Sequence, residues 1–357
     1  MQNKYRIEFL DKTTLKEQVS LYNQVFEQKW SVEEWEYINY QNPLTTTVSG
    51  GNVIGAFDGK KLIGLLACMD MQYVLNNIYY KALQIGNISV HIDYRHQGIL
   101  TSLVRYAEEF SKSKGYDFLM VFPNRNSHPA FQKIGWTDLN GLQYLVLQAN
   151  TNNIVSRVFN IRLPGFMNVC TGYVNLKSKI FIRKDNTLRL QREYSIPEGI
   201  TQTPYHSEVK MTLDYPSLAW RFKEKSYVHY TIRDDNNNAL AYFVVREHPY
   251  FSLARRADII ASYHFTSNRK VLKSSYGLLL TKLRKEFDII LEWNSLSSKE
   301  NKLIRKALGY FNPHLTKPYM VKILTEDLEV KQLLSQKESW DPREMDVNTT
   351  VHYVEDE

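Results

Sequence analysis

One order of predicted secondary-structure elements occurs twice in this chain of 357 residues, and this recurrence restricts the fold more than any other feature. In the first half, a strand and a helical segment ending in "NP" precede a hairpin, a long strand, an amphipathic helix, a buried strand and a closing Gly135-Trp136. The same order follows residue 185 and closes at Gly309-Tyr310. We therefore expect two copies of one mixed α/β unit.

This pattern divides the chain into four segments. The first unit is expected at 1–150, a connector at 151–185, the second unit at 186–328 and an acidic tail at 329–357. The connector has a less regular pattern, with a helix predicted in "VNLKSKIFI". The end of the tail, "ESWDPREMDVNTTVHYVEDE", is polar and acidic, which favours a loosely ordered segment.

Composition indicates a folded protein and restricts its partners only weakly. Hydrophobic residues make up 43% of the chain, enough to form buried cores. The formal charge is +7 without a dense run of Lys or Arg, so nucleic-acid binding is not required. A protein that binds a polyphosphate cofactor or acidic sugars would carry the same positive balance.

Cysteine usage and the first residues favour a cytoplasmic protein. Cys68 and Cys170 lie in unrelated contexts without metal-ligand spacing, and we expect both to be small buried side chains in a reducing compartment. The start "MQNKYRIEFLDK" lacks the apolar core of a signal peptide, and no apolar stretch approaches the length of a membrane span.

The stretch "DYRHQGILTSLVRYAEEF", at 93–110, joins a polar loop to an amphipathic helix. The helix start offers unpaired N–H groups, which favour an anion. Gly98 removes a side chain where a ligand would approach the backbone, and Arg95 adds a positive charge. Taken alone, an Arg-x-x-Gly pattern is a weak signal and is more often a surface turn than a phosphate site. The apolar face of the helix consists of Leu100, Leu103, Val104, Ala107 and Phe110.

In its context the loop resembles the acetyl-CoA signature of the GNAT N-acetyltransferases, Gln/Arg-x-x-Gly-x-Gly/Ala. A long strand precedes it, a buried strand "DFLMVF" follows its helix, and "NRNSHPAFQKIGW" resembles the family's Asn, short helix and Gly-Phe ending. The resemblance covers about residues 4–148. The matching loop positions are Arg95, His96, Gln97, Gly98, Ile99 and Leu100.

The fold that this resemblance implies is a central, mostly antiparallel mixed sheet flanked by helices. The second half resembles the same fold, but its corresponding stretch "FTSNRKVLKSS" contains no glycine. We therefore expect a tandem GNAT protein in which only the first unit binds a cofactor.

The resemblance further implies transfer of an acetyl group from acetyl-CoA to an amine, with a site built largely from main-chain groups. Ile88 and Val90 would supply backbone contacts to the pantetheine arm and the acetyl group, amides from Gln97 to Thr101 would hold the pyrophosphate, and Asn124 would contact the cofactor arm. The implied cofactor-binding residues are Ile88, Val90, Arg95, His96, Gln97, Gly98, Ile99, Leu100, Thr101, Asn124 and Phe131.

Two of these positions depart from the family pattern. Leu100 stands where the family prefers Gly or Ala, and its side chain either crowds the pyrophosphate or points into the core. Phe131 stands where many members have the tyrosine thought to protonate the leaving thiolate, and a phenyl ring cannot donate a proton. Because a thiol has a pKa of about 8.5, its thiolate leaves tolerably well without a dedicated acid.

The general base is the least determined part of the site. GNAT members often carry a Glu or His base on the long central strand. In this chain those positions hold Gln84, Gly86 and Asn87, and none of these residues titrates. His91 faces away from the cofactor if Val90 faces it, so it is either a weak catalytic candidate or a hydrogen-bonded residue beside the loop. His128 either faces the acceptor or caps the short helix. Asp70 either lines the cleft or is a solvated loop residue.

Aromatic residues are frequent in the early helical segment, which borders the acceptor site in this fold. As a group they would make a stacking floor for a sugar ring, whereas singly each fits an aromatic core. They are Trp30, Trp35, Tyr37 and Tyr40, with Trp220 in the matching element of the second half.

Three functional hypotheses follow. The first is an N-acetyltransferase acting on a small primary amine, with an amino sugar or nucleotide-linked amino sugar of a surface glycan as the foremost acceptor. The second is a tandem aminoacyl transferase that builds peptide crosslinks with charged tRNA, although such proteins generally lack a working CoA loop. The third is a non-catalytic CoA-binding module.

Overall fold

The computed structural model describes residues 4–44, 52–75, 78–139, 142–149, 187–197, 200, 210–212, 215–223, 227–251, 254–295, 310, 316–336 and 340. Its helices are α1 (Leu15–Phe26), α2 (Val32–Tyr40), α3 (Ile99–Ser113), α4 (His128–Lys133), α5 (Tyr215–Arg221), α6 (Arg269–Glu286) and α7 (Leu328–Ser335), with short 3-10 helices at Lys12–Thr14 and Ile92–Tyr94.

The strands divide between two sheets. In chain order they are β1 (Arg6–Leu10), β2 (Val53–Asp58), β3 (Lys61–Leu75), β4 (Ile78–Val90), β5 (Phe118–Val121), β6 (Thr137–Asp138), β7 (Leu142–Gln148), β8 (Arg189–Glu193), β9 (Lys210–Met211), β10 (Tyr227–Arg233), β11 (Ala239–Phe251), β12 (Ala254–His264), β13 (Ile289–Ser295), β14 (Thr316–Lys317) and β15 (Met320–Ile323).

The first sheet contains eight of the described strands, in the order β1-β2-β3-β4-β5-β15-β6, with β9 paired to β3. Among the described strands of this sheet, only β4 and β5 are parallel neighbours, through Ala82–Ile85 and Phe118–Val121. The second sheet contains seven described strands, in the order β14-β7-β13-β12-β11-β10-β8, and β12 and β13 are its parallel pair. Both are therefore mostly antiparallel mixed sheets, and the predicted mixed α/β fold with two such units is confirmed.

Each sheet takes a strand from the other half of the chain. β15, near the C-terminal end, inserts between β5 and β6 of the first sheet. β7, which the sequence places in the first unit, pairs with β13 and β14 in the second sheet. The predicted ranges 1–150 and 186–328 therefore do not coincide with the two sheets.

Three hydrophobic cores hold the described elements together. One lies between the first sheet and α3 with α4, and includes Leu103, Phe131 and Trp136. A second lies between the second sheet and α6, around Leu279 and Leu283. The third combines α1, α2 and the opposite face of the first sheet with residues of the second half, so the two units share a core.

Local sequence signals explain several element boundaries. Ser31 begins α2 with a capping box, in which its side chain accepts from Glu34 N and the Glu34 carboxylate accepts from Ser31 N. The hairpin predicted at Asp58-Gly59 is confirmed, because β2 and β3 pair from Asp58 and Lys61 and Gly59 has φ +59°.

Some predictions fall wholly or partly outside the described residues. Cys68 is buried and free, and burial raises the pKa of its thiol, whereas Cys170 lies outside those residues. The helix predicted in "VNLKSKIFI" lies outside them too. Of the predicted loose tail end, the structure describes Trp340 alone, which is buried against Tyr73 and Phe118. No helix in the described ranges is both long and apolar enough to cross a membrane.

Candidate functional site

A gap opens in the first sheet where β4 continues beyond its parallel neighbour. The pairing of β4 with β5 ends at Ile85 and Val121, whereas β4 runs on to Val90. Residues 86–88 and 90 are half-buried rather than covered. The edge of β4 therefore presents main-chain groups that no described strand on that side pairs with.

A β-bulge lies in this same part of β4. Ser89 pairs with Leu65 and Gly86 with Ala67, so Asn87 and Ile88 together oppose one residue of β3. Asn87 has φ +48°, in the left-handed region. A bulge redirects backbone groups away from the ladder, and the N–H groups here are candidates for binding an oxyanion. The spacing of the sequence did not reveal this bulge.

The loop after β4 leads directly into the uncapped start of α3. Gly98 is the N-cap residue, with φ +78°, and no described side chain caps the helix. The first helical hydrogen bond runs from Ser102 N to Gly98 O, which leaves the N–H groups of Ile99 to Thr101 ahead of the helical ladder. A Cβ at Gly98 would meet nothing within 4 Å, so a larger side chain would project into open space at the helix start.

The loop itself is exposed but anchored. Arg95, His96, Gln97 and Gly98 are all exposed. Gln97 Oε1 accepts from Tyr5 Oη at 2.5 Å, and Gln97 Nε2 donates to Asp93 O at 3.2 Å. These side-chain bonds anchor the loop to Tyr5 and to Asp93.

The two residues after Gly98 point into the protein. Ile99 is buried against Gly64, whose Cβ position lies 2.8 Å from Ile99 Cγ2. Leu100 is half-buried and packs against the same core. The Leu100 side chain therefore takes the core-facing orientation of the two considered from sequence.

The segment after β5 places Asn124 and His128 in a polar turn. Asn124 Oδ1 accepts from the backbone N–H groups of Asn126 and Ser127, at 3.0 and 2.9 Å. His128 Nε2 lies 2.8 Å from Asp138 Oδ2 on β6. The Asp138 partner was not identified from sequence, because its contact with His128 depends on how β6 folds back beside α4.

Phe131 is fully buried and packs edge-to-face on Trp136, with ring centroids 4.9 Å apart. Trp136 Nε1 in turn donates to Glu108 Oε1 at 2.8 Å. These contacts give Phe131 a packing role in the core between the first sheet and its helices.

The other residues considered for proton transfer are held by contacts of their own. His91 caps the 3-10 helix before the loop, where its Nδ1 accepts from Asp93 N at 3.4 Å, and it is buried. Asp70 is in the middle of β3, and its buried carboxylate accepts from Tyr116 Oη. Of the two alternatives considered for Asp70, the solvated loop position is therefore wrong, because Asp70 is buried and β3 continues to Leu75.

Polar, non-titrating side chains lie beside the bulge. Asn87 Nδ2 donates to Asn39 Oδ1 of α2 at 3.4 Å, and Gln84 is buried nearby on the strand. Among the described residues, no group of His, Cys, Asp and Glu side chains is arranged to hold a metal ion.

The aromatic residues of the early helices belong mainly to the shared core. Trp30, Trp35 and Tyr40 are buried, and Trp35 Nε1 donates to Gln18 Oε1 at 2.8 Å. Tyr37 is half-buried and joins the two halves, because Tyr37 Oη donates to Trp220 O at 2.5 Å and Trp220 Nε1 donates to Tyr37 O at 3.1 Å. The core interpretation therefore describes them better than a sugar-stacking floor.

The corresponding helix of the second half starts differently. Asn268 is the N-cap residue of α6, and its side chain accepts from Lys270 N at 3.0 Å. This helix start is capped from within, which removes one of the N–H groups that an anion would use.

A mixed sheet with a bulged, partly unpaired central strand leading into a glycine-started helix is the arrangement that the resemblance to GNAT acetyltransferases implies. Residues 6–138 match the family model described as an acetyltransferase (GNAT) domain. Residues 6–138 are therefore similar to the GNAT acetyltransferase domain, whose family consists of acyl-CoA-dependent N-acyltransferases.

Solved structures share the fold over most of the chain. A GCN5-related N-acetyltransferase from Anabaena variabilis matches with a TM-score of 0.63 at 10% identity, over 90% of this chain and 73% of its own. Eis1 from Mycobacterium abscessus matches with a TM-score of 0.58 at 13% identity, over 93% and 76%. N-myristoyltransferase from Saccharomyces cerevisiae, with bound myristoyl-CoA, matches with a TM-score of 0.54 at 10% identity, over 90% and 79%. No curated protein sequence matches the chain.

Proposed function

We propose that the protein transfers an acetyl group from acetyl-CoA to a primary amine of a small molecule, and that the first unit alone binds the cofactor. The observation that carries this proposal is the uncapped start of α3 at Gly98, next to the gap between β4 and β5. A diphosphate at this helix start would satisfy N–H groups that otherwise bind water. The pantetheine arm would then follow the free edge of β4.

The reaction is a direct attack on the thioester. The amine nitrogen forms a bond to the acetyl carbonyl carbon, the carbon–sulfur bond breaks, and CoA leaves as the thiolate. The amine loses one proton to a base, and N–H groups beside Asn87 and Ile88 stabilise the oxyanion of the tetrahedral intermediate. The thiolate takes up a proton from water or from a neighbouring acid.

His128 is the better of the two histidine candidates for proton transfer. The His128 side chain is 21% exposed and is paired with Asp138. The His91 side chain is 11% exposed, and its Nδ1 already accepts a hydrogen bond from Asp93 N at the start of the 3-10 helix. His128 also lies one helical turn before Phe131. Phe131 occupies the position at which many GNAT members have the tyrosine thought to protonate the leaving thiolate. A partly exposed imidazole held by a carboxylate is suited to exchange a proton with solvent.

The acceptor is proposed at the level of a small primary amine. Amino sugars and nucleotide-linked amino sugars are the first acceptors to test, because the positive balance of the chain suits anionic sugar nucleotides. The burial of Trp30, Trp35 and Tyr40 in the shared core gives no support to sugar stacking by these residues.

Replacement of Gly98 by Glu tests the phosphate site. We expect Gly98→Glu to weaken acetyl-CoA binding by more than about 100-fold, because it places a carboxylate where the pyrophosphate would bind. Isothermal titration calorimetry measures the affinity. Gly115→Glu is the matched control: Gly115 lies just after α3, with φ +68° and no atom within 4 Å of its Cβ position, so both variants carry similar backbone strain.

Normal acetyl-CoA binding by Gly98→Glu, or no heat from the wild type with acetyl-CoA or longer acyl-CoAs, would contradict the proposal. Release of CoA thiol, measured across amino sugars, polyamines, aminoglycosides and peptides, identifies the acceptor class. Binding without thiol release across that panel would instead favour the non-catalytic module. Faster turnover with a long-chain acyl-CoA than with acetyl-CoA would show that the transferred group is a long-chain acyl group and not acetyl.

Replacement of His128 by Gln tests proton transfer. We expect kcat to fall at least about tenfold with little change in the KM for acetyl-CoA, because the variant keeps a polar side chain but cannot exchange a proton in the neutral pH range. Steady-state kinetics from pH 5.5 to 9 measure both constants. An unchanged kcat and pH profile would remove His128 from the mechanism.

A further inference from the structure

The loop that starts α3 has a backbone that does not form readily by itself. His96 has φ +62° and Gly98 has φ +78°, so left-handed residues stand on both sides of Gln97. Glycine adopts such a conformation at no steric cost, but histidine adopts it infrequently. Something outside the main chain of the loop must favour this arrangement in the free protein.

A side-chain link across the loop supplies that restraint. Gln97 accepts from Tyr5 Oη at 2.5 Å and donates to Asp93 O at 3.2 Å, so its amide joins the loop both to its own beginning and to the residue before β1. Tyr5 is buried in the core that also contains Ile99. Its ring packs edge-to-face on Tyr94, with centroids 6.2 Å apart.

Tyr94 extends the support to the opposite side. Its hydroxyl donates to Asp58 Oδ2 at 3.1 Å, at the turn between β2 and β3. The anchor residue Tyr5 is therefore held by packing before any ligand arrives. A restraint that exists in the free protein lowers the ordering cost of binding.

We propose that Tyr5 is a positioning residue for acyl-CoA, acting through Gln97 to hold the phosphate-binding loop ready for the diphosphate. This inference rests on the proposed function, because it assigns the loop to the cofactor. Tyr5 does not touch the reacting atoms. Its loss should weaken cofactor binding and leave the chemical step unchanged.

The test combines Tyr5→Phe, Gln97→Ala and the double variant. We expect each single change to raise the Kd for CoA and the KM for acetyl-CoA roughly 3- to 10-fold, the size of one lost hydrogen bond, with kcat within about twofold of wild type. The double variant should be no weaker than the weaker single variant, because both changes break one link. Tyr106→Phe is the control: Tyr106 lies on α3 and packs on Phe9, away from the loop, and should leave every constant unchanged.

A second measurement needs no ligand. Hydrogen–deuterium exchange at the amides of residues 96–101 should be faster in Tyr5→Phe and Gln97→Ala than in wild type or Tyr106→Phe, with equal melting temperatures excluding global unfolding. Unchanged exchange, unchanged affinity, or effects of the two variants that multiply would overturn the proposal. Absence of CoA binding by the wild type would overturn the proposed function itself, whereas normal wild-type binding with an unaffected Tyr5→Phe would overturn the positioning role alone.

Discussion

At the scale of single residues, the two halves differ clearly at the residue that starts the helix after the long strand. Gly98 leaves α3 without a side-chain cap, whereas Asn268 caps α6 with its own side chain. A helix start whose N–H groups are bonded by its own cap residue has fewer free N–H groups for binding an anion. This one position accounts for the proposal that a duplicated fold binds one cofactor.

Replacement of Asn268 by Ala should separate capping from cofactor binding. We expect the free energy of unfolding to fall by about 1 kcal/mol because a helix cap is lost. The stoichiometry should stay at one CoA per chain, with unchanged affinity. Chemical denaturation and calorimetry measure the two quantities, and a weaker CoA affinity would assign part of the cofactor site to the second half.

A buried histidine in the core shared by the two halves makes stability depend on pH. Burial lowers the pKa of His229 to about 4 from its ordinary 6.5, and its Nδ1 lies 2.6 Å from Tyr242 Oη. The unfolded chain therefore binds a proton below pH 6.5 that the folded protein does not take up until about pH 4.

The expected result follows from this difference in proton binding. The His229 contribution to stability is complete above pH 6.5 and is lost as pH falls through 6.5 towards 4, by up to about 3 kcal/mol. Denaturant unfolding between pH 4 and 7 should show this loss in wild type and a shallower slope in His229→Gln, which keeps a hydrogen-bonding side chain. Equal slopes would show that His229 is not the group responsible.

At the scale of elements, the sequence predicts what depends on near neighbours. The hairpin at Asp58-Gly59 and the capping box at Ser31 and Glu34 are chemical signals contained in a few residues, and both are present in the structure. The loop and amphipathic helix around Gly98 are likewise local and are present in the structure, whereas their interpretation as a phosphate site depends on the resemblance to the GNAT signature.

Features that depend on distant pairing are not predicted. Alternating residues at 142–148 identify β7 as a strand, but alternation does not state which sheet it joins. The same limit applies to the bulge at Asn87, which is defined by its register against β3, and to the contact between His128 and Asp138. The Tyr5–Gln97 bond spans 92 positions and carries no local signal.

At the scale of the whole molecule, the exchanged strands join the two halves into one structure. β15 occupies the position between β5 and β6, and residues of both halves form one core that includes Trp35 and Tyr242. Tyr37 and Trp220 add reciprocal hydrogen bonds across the same boundary. Each sheet includes a strand from the other half of the chain, β15 in the first sheet and β7 in the second.

Removal of the C-terminal strand should therefore damage the candidate cofactor site, although the two are distant in sequence. We expect a chain ending at residue 315 to lose CoA binding and cooperative unfolding, because β5 loses its neighbour β15 and the buried Trp340 is absent. A chain ending at residue 340 is the control and should bind CoA. Normal affinity in the shorter chain would show that the first sheet is stable without β15.

The insertion of β15 also sets an order of events during synthesis on the ribosome. β1 to β5 emerge early, yet the strand that completes their sheet is made only after more than three hundred residues. A chain released early by a nonsense codon would lack that strand and expose the edge of β5 to chaperones and proteases. Only a chain translated past residue 323 can therefore complete the first sheet.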